Sequence, residues 1–334
     1  MARRVTLSHG GGGVLTRELV EEVFLPAFGN DVLRALDDAA LLDRPAGRIA
    51  FTTDSFVVKP LFFRGGDIGR LAVSGTVNDL AACGASPLGL SLGLVIEEGL
   101  EIDTLRRVAD SLAATAREAA APIVAGDTKV VERGAADGLY INTAGVGALP
   151  TGPAPGAGRI RPGDRVLISG ALGDHGIAVL SEREGLRFET EILSDVAPLG
   201  GLVEASLEAG EVHALRDPTR GGAAAALNEL AEAAGIGVEI DEEAVPVHPA
   251  VRAASDMLGL DPLSIANEGK MILFVAEADA GGILDALRAH PRGEEAAIVG
   301  EAVEGHPGVV AVRTRIGSRK VLEMPHGEGL PRIC

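Results

Sequence analysis

Residues 48–85 are RIAFTTDSFVVKPLFFRGGDIGRLAVSGTVNDLAACGA, in which a strand pattern is followed by a helix pattern. Residues 48–58 are rich in β-branched and aromatic side chains, which predicts a strand. Asp67 is of a type that caps helices well, and it predicts the start of a helix that runs to about Cys83, where Gly84 ends it. A strand followed by a helix of this length indicates an α/β fold.

The alternation of strand and helix patterns continues along the rest of the chain. Apolar residues at helical spacing predict a helix over residues 103–120, and strands are predicted at residues 122–131 and 139–149. Residues 151–164 are dense in Gly and Pro, which predicts a linker between domains. Beyond the linker we expect elements at residues 165–169, 174–185, 219–234, 237–240, 271–277 and 279–290, and a closing hairpin over residues 309–324.

The expected organisation is two mixed α/β domains followed by a tail. The N-terminal domain comprises residues 1–152 and the C-terminal domain residues 153–323. The last eleven residues, MPHGEGLPRIC, contain two prolines and two glycines, which forbid a stable helix or central strand. We expect residues 324–334 to form a flexible tail that reaches on the order of 36 Å when extended.

Composition excludes several classes of function. Hydrophobic residues make up 46% of the 334 residues, enough for a substantial core, and the net charge of −18 leaves no basic patch for nucleic acid. The most apolar stretch, residues 71–96, is interrupted by polar residues and glycines, so we expect no membrane helix and no membrane partner. Two cysteines cannot form a disulfide framework and the N-terminus lacks a secretory pattern, so we expect a cytoplasmic protein.

Acidic residues recur at the ends of predicted strands and helices. They are Asp37, Asp38, Asp54, Asp79, Asp127 and Asp217. Taken singly, an aspartate is more often a cap or a turn residue. Asp79 is different because it lies inside an otherwise apolar helix, where burial of an acid without a binding partner lowers stability. Carboxylates together with nucleotide phosphates are the ligands that Mg²⁺ prefers, so acids that converge on one cleft would bind Mg–ATP.

Three further segments could take part in phosphate chemistry. The glycine run at residues 10–13 would let backbone N–H groups approach a phosphate, although a floppy arm is the alternative and no Walker loop is present. Lys129 follows Asp127 at a strand end and could neutralise phosphate charge or simply be solvated. Glu268, just before the strand at residues 271–277, is either a base or a turn residue.

Cys334 is the most specific feature of the sequence. An exposed thiol is usually a liability, so a cysteine at the tip of a mobile tail suggests a covalent carrier. A chance thiol or an intermolecular disulfide are the alternatives. The position does not fit a prenylation motif. Cys83 lies on the apolar helix, and we expect it in the core.

These segments together resemble a known family. The motifs SHGGGG, DDAA, TTDS, VNDLAACGA, AGDTKV, SGALGDHGIAVL, RDPTRGG, ANEGKMILFV and PRIC occur in order along nearly the whole chain. The glycine-rich start and the aspartate motifs resemble the superfamily of aminoimidazole ribonucleotide synthetase, selenophosphate synthetase and thiamine-monophosphate kinase. The terminal PRIC narrows the resemblance to the HypE family of hydrogenase maturation factors, which are carbamoyl dehydratases.

The resemblance implies a fold, an activity and partners. The fold is the two-domain PurM-like α/β (α+β) fold with mixed sheets and helices, as a homodimer in which N-terminal sheets pair and ATP lies near the interface. The activity is the ATP-dependent dehydration of an S-carbamoyl group on Cys334 to a thiocyanate, with ATP and Mg²⁺. The carbamoyltransferase HypF loads the thiol, and the cyano group passes to iron on the HypC–HypD complex for [NiFe] hydrogenase.

The resemblance also implies the site residues. Cys334, Lys129 and Glu268 are the catalytic candidates, Glu268 as a base. The nucleotide-binding candidates are Gly11, Gly12, Gly13, Asp54, Asp79, Asp127, Thr128 and Lys129, and the metal candidates are Asp38, Asp79, Asp127 and Asp217. The glycine run is purer than the resemblance implies.

Two rival functions remain open from the sequence. The first is another enzyme of the superfamily. A selenophosphate synthetase would carry a cysteine or selenocysteine in its glycine-rich N-terminal segment, and residues 9–17 of this chain contain neither. A small-molecule kinase of the superfamily needs no terminal cysteine. The second is a nucleotide-regulated scaffold without turnover, and release of ADP upon addition of a carbamoyl donor would distinguish it from an enzyme.

Overall fold

The computed structural model describes residues 4–10, 14–35, 47–186, 191–325, 330 and 332–334. Four predicted site residues, Gly11, Gly12, Gly13 and Asp38, therefore lie outside the described residues. Within the described ranges, no helix is both long and apolar enough to cross a membrane.

The first half of the chain forms a sheet with helices on one face. Its helices are α1 (Val14–Leu19), α2 (Leu25–Phe28), which follows α1 through a π-helical turn at Val20–Phe24, α3 (Ile68–Ala82) and α4 (Ile102–Glu118). Its strands are β1 (Ile49–Phe56), β2 (Phe62–Phe63), β3 (Gly66–Asp67), β4 (Ser86–Glu97), β5 (Ile123–Val131) and β6 (Leu139–Ala148). In the described chain, β1, β6, β4 and β5 form one sheet in that order, antiparallel except for the pair β4–β5, while β2 and β3 form a short hairpin.

Helix α3 is the central element of this half. It begins as predicted at Asp67, whose carboxylate accepts hydrogen bonds from the N–H groups of Gly69 at 2.7 Å and Arg70 at 3.0 Å. The helix packs on β1, β4 and β6 and on α4, which buries nearly all of its side chains. An apolar helix enclosed in this way makes any polar residue within it a candidate for a specific role.

The opposite face of the same sheet carries exposed apolar side chains. Phe51 and Ile49 on β1 are 69% and 56% exposed, and Val95 on β4 is 36% exposed. The strand register places Val95 beside Lys129 of β5, so Lys129 lies on this outer face as well. Large apolar side chains exposed next to one another on one face of a strand, as those of Ile49 and Phe51 are on β1, are typical of an interaction surface.

The second half of the chain is a larger sheet between two layers of helices. Its helices are α5 (Asp174–Glu184), α6 (Gly200–Ala209), α7 (Gly222–Ala234), α8 (Pro249–Leu258) and α9 (Ala280–Ala289). Its strands are β7 (Arg165–Ile168), β8 (Val212–Arg216), β9 (Gly237–Asp241), β10 (Ile272–Val275), β11 (Ala297–Val303), β12 (Val310–Arg313) and β13 (Arg319–Val321). In the described residues the strand order is β13-β12-β9-β11-β7-β10-β8, and only the pair β12–β9 is parallel.

Alternation along the central strands explains the two helical layers. Ile272 and Phe274 of β10 belong to the apolar cluster formed with α7. Leu273 and Val275 belong to the cluster formed with α6 and α9. Successive side chains of a strand point to opposite faces, so a strand that is apolar at every position is buried on both sides.

The sequence predicted most of these elements but missed several. The helices and strands predicted in the first half are found within a few residues of their expected ends, and the closing hairpin turns at Gly317 as expected. The prediction missed the long central strand β4, because its outer face carries Ser91 and Gly93 rather than β-formers. It also missed α1, α2, α6, α8, β2, β3, β8 and β11. The predicted linker contains a 3₁₀ turn at Ala157–Arg159 that is tied to β8 by a hydrogen bond from Arg159 to the Val212 carbonyl.

Asn78 joins the two halves of the molecule. It lies on α3 and is 2% exposed. Its amide nitrogen donates to the carbonyl oxygens of Ala197 at 3.0 Å and Glu268 at 3.3 Å, and its amide oxygen accepts from the N–H of Leu199 at 2.8 Å. One side chain therefore satisfies three buried backbone groups of the second half.

We predict that Asn78→Leu destabilises the protein strongly. The substitution leaves two carbonyls and one N–H buried without these partners, and the expected loss of unfolding free energy is about 2–4 kcal/mol. Urea unfolding measures it. Ser74→Ala on the same helix is the matched control, because the Ser74 hydroxyl is fully buried and has no hydrogen-bond partner among the described residues. That variant should be as stable as the wild type or slightly more stable, and an equal loss in both variants would contradict the role of Asn78.

Candidate active site

Four acidic residues meet at the junction of the two halves. Asp54 lies near the end of β1, Asp79 lies in the last turn of α3, Asp217 follows β8, and Glu268 precedes β10. We call these residues the acid cluster. Asp79 and Asp217 line a cleft of about 690 Å³ between the halves. The fold thus brings together acids that are separated by more than two hundred residues in the sequence.

The carboxyl groups of the acid cluster perturb one another. Burial is the main cause that raises the pKa of Asp79 to about 6. The nearby charges of Asp217 and Asp54 contribute to this shift, and a hydrogen bond from Thr52 Oγ1 at 2.7 Å opposes it. Burial is also the main cause of the raised pKa of Asp54. Carboxylates held this close disfavour ionisation, so a cation placed among them would be bound favourably.

Glu268 is the most strongly perturbed member of the acid cluster. It is 4% exposed, and burial raises its pKa well above the usual range, with further contributions from Asp217, Asp195, Asp54 and Asp79. Its Oε1 atom has no hydrogen-bond partner among the described residues. A buried carboxyl group with an unused oxygen and a raised pKa is suited to accept a proton from a bound substrate.

The backbone around Glu268 is fixed from several directions. The N–H of Glu268 donates to Asp195 Oδ1 at 3.1 Å. The amide of the preceding Asn267 accepts from the Gly173 N–H at 2.7 Å and donates to the Pro218 carbonyl at 3.2 Å. At Gly269 an added Cβ would lie 1.8 Å from the Asp195 carbonyl oxygen, so the close approach of the two segments requires glycine. These contacts hold the carboxyl group in place.

Sequence reasoning missed three residues of this site. Asn78 is one of the polar interruptions of the apolar stretch at residues 71–96, and nothing in the sequence distinguishes it further. Asp195 is 3.4 Å from Lys270 Nζ and bonds the Glu268 backbone, but no spacing in the sequence connects it with that residue. Arg220 lies 3.7 Å from Asp54 and was quoted only as part of RDPTRGG. The one sequence signal for Arg220 was its place in the same motif as Asp217.

The other predicted nucleotide-binding residues form a second group on β5. Lys129 Nζ lies 3.8 Å from Asp127 Oδ1, and both side chains are exposed. Together with Thr128 they border a cavity of about 400 Å³ that is lined mainly by apolar residues such as Phe24 and Leu92. Gly10, at the start of the glycine run, lines the same cavity.

The two groups are separate within one chain. Asp54 lies on β1 and Asp127 lies on β5, at opposite edges of the four-stranded sheet. Three strand spacings of about 4.8 Å separate the edges by about 14 Å. In the described parts of the chain, no three His, Cys, Asp or Glu side chains are arranged to hold a metal ion by themselves. The structure therefore does not unite Asp127 with Asp79 and Asp217 in one metal site, and Asp38 lies outside the described residues.

The two cysteines lie in different environments, Cys334 in a pocket and Cys83 on the surface of the cleft. Cys334 is half-buried and lines a pocket of about 250 Å³ together with Ser55, Arg220 and Ala266. Arg220 also lines the cleft of the acid cluster, so the two cavities share a wall. The expectation that Cys83 belongs to the core was wrong. Cys83 is exposed on the cleft because it is the residue at which α3 ends.

Comparison with known proteins identifies the family. Residues 36–149 match the AIR synthase related protein N-terminal domain and residues 161–313 match the AIR synthase related protein C-terminal domain. The carbamoyl dehydratase HypE of Rhizobium leguminosarum bv. viciae is 52% identical over 333 residues, covering 99% of this chain and 95% of the relative. The chain belongs to the HypE family. The activity of this family is carbamoyl dehydration in hydrogenase maturation, so the identification made from the sequence motifs is confirmed.

Solved structures of the HypE family agree with the fold. A crystal structure of the hydrogenase maturation protein HypE in complex with ATP has a TM-score of 0.96 and 48% identity, covering 98% of this chain and 99% of that one. A HypE chain in a HypE–HypF complex has a TM-score of 0.81 and 48% identity, covering 92% and 99%. The predicted two-domain PurM-like fold with mixed sheets is thereby confirmed.

We predict that the acid cluster lowers stability at neutral pH in the absence of metal. The pKa of Asp79 in the folded protein is about 6, above its value of about 3.9 in an unfolded chain. The folded state therefore binds more protons between these values, and the contribution of Asp79 to stability is largest at low pH and is lost as the pH rises through about 6.

Asp79→Asn should consequently be more stable than the wild type at pH 8, by up to about 3 kcal/mol, and the difference should vanish below about pH 4. Urea unfolding in the presence of EDTA at several pH values measures this. Asp127→Asn, which changes the same charge on the exposed strand β5, should leave stability nearly unchanged throughout. A constant difference between Asp79→Asn and wild type at all pH values would contradict the electrostatic account.

Proposed function

We propose that the chain uses ATP to dehydrate an S-carbamoyl group on its own Cys334 to a thiocyanate. The observation that carries the proposal is the position of Cys334 in a pocket that shares Arg220 with the cleft of the acid cluster. A group attached to the thiol would therefore lie beside the residues best suited to phosphoryl transfer. Family membership favours this reading over a scaffold or another enzyme of the superfamily.

The reaction consists of two balanced steps. The carbonyl oxygen of Cys334–S–C(=O)–NH₂ attacks the γ-phosphorus of ATP and ADP leaves, which gives an O-phosphorylated imidate after loss of a proton from nitrogen. The second N–H proton is then removed as phosphate departs, and the products are Cys334–S–C≡N, ADP and phosphate. Oxide is a poor leaving group and phosphate a good one, which is why ATP is needed. Phosphoryl transfer depends mainly on positioning and on neutralisation of charge.

Glu268 is the proposed base for these proton transfers. Its carboxyl group is buried and its Oε1 atom has no partner in the described chain. The segment from Ala266 to Glu268 connects the pocket of Cys334 with the acid cluster. Nucleotide phosphates that arrive with a cation would relieve the repulsion among the acids and lower the pKa of Glu268, which favours its ionised, proton-accepting form. A dry site also protects the phosphorylated intermediate from water.

Mg²⁺ is proposed to bind with the nucleotide rather than in a site made of protein alone. Mg²⁺ often uses one or two carboxylates together with phosphate oxygens and water. Asp79 and Asp217, with Asp54 beside them, are the carboxylates that would hold it, and their mutual repulsion fits a cation. The metal would neutralise phosphate charge during the transfer. Gly11, Gly12, Gly13 and Asp38 are retained as proposed contacts from the sequence motifs.

Homodimerisation would unite the two groups of predicted ligands. Asp127 and Lys129 lie at the edge of the sheet whose outer face exposes Phe51 and Ile49. We propose that two chains pair through this face, which would bring a second copy of β5 towards each acid cluster. Lys129 would then neutralise phosphate charge, and ATP would lie near the interface.

We predict that Phe51→Glu disrupts the dimer. A charge at the centre of an apolar interface is costly. Sedimentation should give about twice the chain mass of 34.1 kDa for the wild type and the single-chain mass for the variant. Ile316→Glu is the matched control, because Ile316 is 91% exposed in the other half of the chain. A wild-type protein that sediments as a single chain would refute the proposed pairing.

The proposed partners are those that the family resemblance implies. A HypE–HypF complex has been solved for a protein 48% identical to this chain, which supports loading of Cys334 by a HypF carbamoyltransferase. The HypC–HypD complex is the proposed acceptor of the cyano group, and all three partners are proposed to act in the cytoplasm. Loading by a separate enzyme needs an exposed thiol, whereas Cys334 is half-buried here, so we propose that residues 324–334 act as a mobile tail after the domains at residues 1–152 and 153–323.

Intact-mass measurement tests the proposed activity. Incubation with HypF, its carbamoyl donor and ATP should add about 43 Da to the chain, and ATP-dependent dehydration should then remove about 18 Da. Cys334→Ala should show neither change, and Cys83→Ala should still be loaded. Asp79→Asn should be loaded but should not lose water. A gain of about 43 Da by Cys334→Ala would refute the assignment of the acceptor.

A further inference from the structure

The end of the chain is bound to the first half by backbone hydrogen bonds. The N–H of Val57 donates to the carbonyl of Cys334 at 3.2 Å, and the N–H of Lys59 donates to the carbonyl of Arg332 at 3.4 Å. The residue numbers run in opposite directions, so the two segments pair in the antiparallel sense. The Ile333 side chain between these bonds is 3% exposed and belongs to the core of the first half.

His175 contacts the carbonyl group that the backbone pairing leaves unused. Its Nε2 atom lies 3.0 Å from the Ile333 carbonyl oxygen, and its Nδ1 atom lies 2.8 Å from Ser194 Oγ. A carbonyl oxygen only accepts, so Nε2 carries a proton, and in the neutral ring Nδ1 accepts from the Ser194 hydroxyl. The ring is fully buried, and the edge-to-face contact with Phe63 at 5.5 Å fixes its plane.

Asp137 contacts the arginine of the tail. Its carboxylate accepts from the guanidinium of Arg332 and from Lys59 Nζ at 3.0 Å, while Arg332 Nε donates to the Val57 carbonyl at 3.1 Å. Arg332 has φ of 55°, in the left-handed region that side chains other than glycine rarely adopt. A residue held in that conformation indicates that the surrounding contacts determine it.

We propose that His175 and Asp137 are positioning residues that hold the tail with Cys334 in place for dehydration. His175 binds the backbone of the tail and Asp137 binds its guanidinium, so together they define what we call the tail seat. The inference rests on the proposed function, because the seat matters for the reaction only if Cys334 carries the substrate. Neither residue belongs to the acid cluster, so their loss should affect the position of the thiol and leave nucleotide binding intact.

The first experiment measures the accessibility of Cys334 independently of the reaction. Full-length variants in a shared Cys83→Ser background are alkylated, and the rate is followed by intact mass. Asp137→Asn and His175→Leu should be alkylated about 3- to 10-fold faster than the background protein, as expected when a seat of several hydrogen bonds is weakened. His175→Gln keeps an amide donor near the position of Nε2 and should restore most of the protection. Asp285→Asn, an exposed acid on α9, should have no effect.

A double-mutant cycle tests whether Asp137 acts through the tail. Arg332→Gln loses the contact with Asp137 and also the hydrogen bond from Nε to the Val57 carbonyl, so it should increase alkylation at least as much as Asp137→Asn does. The double variant should be no faster than Arg332→Gln alone. Additive effects would overturn the proposed contact. This cycle does not involve the buried His175, so it still tests the proposal if substitutions of His175 prevent folding.

The second experiment measures dehydration in a single turnover of carbamoylated protein with saturating ATP. Asp137→Asn and His175→Leu should lose water more slowly by a factor similar to their gain in alkylation, with unchanged ATP affinity. Three results would each overturn the proposal. The first is an unchanged alkylation rate in the variants, the second is faster alkylation with an unchanged rate of dehydration, and the third is weaker ATP binding. If the proposed function were wrong, the wild type itself would not lose water, whereas the alkylation rates would still report on the seat.

Discussion

The amide of Asn78 is the interaction on which the active-site geometry depends. Asn78 lies on α3, which belongs to the first half, and it bonds the backbone carbonyl of Glu268 in the second half. Its neighbour Asp79 faces the cleft from the same helical turn. Successive residues of a helix point about 100° apart, so one residue can join the halves while the next contributes a carboxylate. The distance between Asp79 and Glu268 is therefore set by a contact that is itself buried.

The acid cluster illustrates a conflict between stability and activity. Burial raises the pKa of Asp79 and of Glu268, which means that the fold holds both carboxyl groups where ionisation is unfavourable. Such sites lower the stability of the protein alone and gain affinity for cations and phosphorylated ligands that relieve the repulsion. The buried Asn78 contacts offset part of this cost, because they keep the two halves together when the cluster is charged.

The sequence predicted the elements that carry strong local signals. The cap at Asp67 and the acid within an apolar helix at Asp79 are both properties of a short segment, and the structure has both. The strand β4 was missed because Ser91 and Gly93 on its outer face have low strand propensity, although they alternate with buried leucines. Cys83 was assigned to the core because its helix is apolar, whereas burial ends with the last turn of that helix.

The candidate site was less accessible to sequence reasoning than the fold. The motifs supplied Asp54, Asp79 and Asp217, which the fold brings together, and also Asp127 and Lys129, which lie on a separate edge of the sheet. Local patterns state which residues are unusual, but the distance between two strands of one sheet depends on strand order. The contacts of His175 and Asp137 with the tail connect residues more than a hundred and fifty positions apart, and no periodicity reports such a pair.

A substrate attached to the chain changes how strongly its binding site must hold it. A tethered group is present at a high effective concentration, so modest contacts suffice to occupy the site most of the time. The contacts of the tail are of this kind: two backbone bonds, one histidine donor, one hydrogen bond from Arg332 to the Val57 carbonyl and one partly exposed ion pair at Asp137. A much tighter seat would keep Cys334 from the enzyme that loads it, and a much looser one would leave the thiol in water, where the phosphorylated intermediate would hydrolyse. The buried Ile333 supplies apolar contact next to the thiol, and the carboxylate of Asp137 stays partly solvated, so the seat can open without the cost of exposing a buried charge.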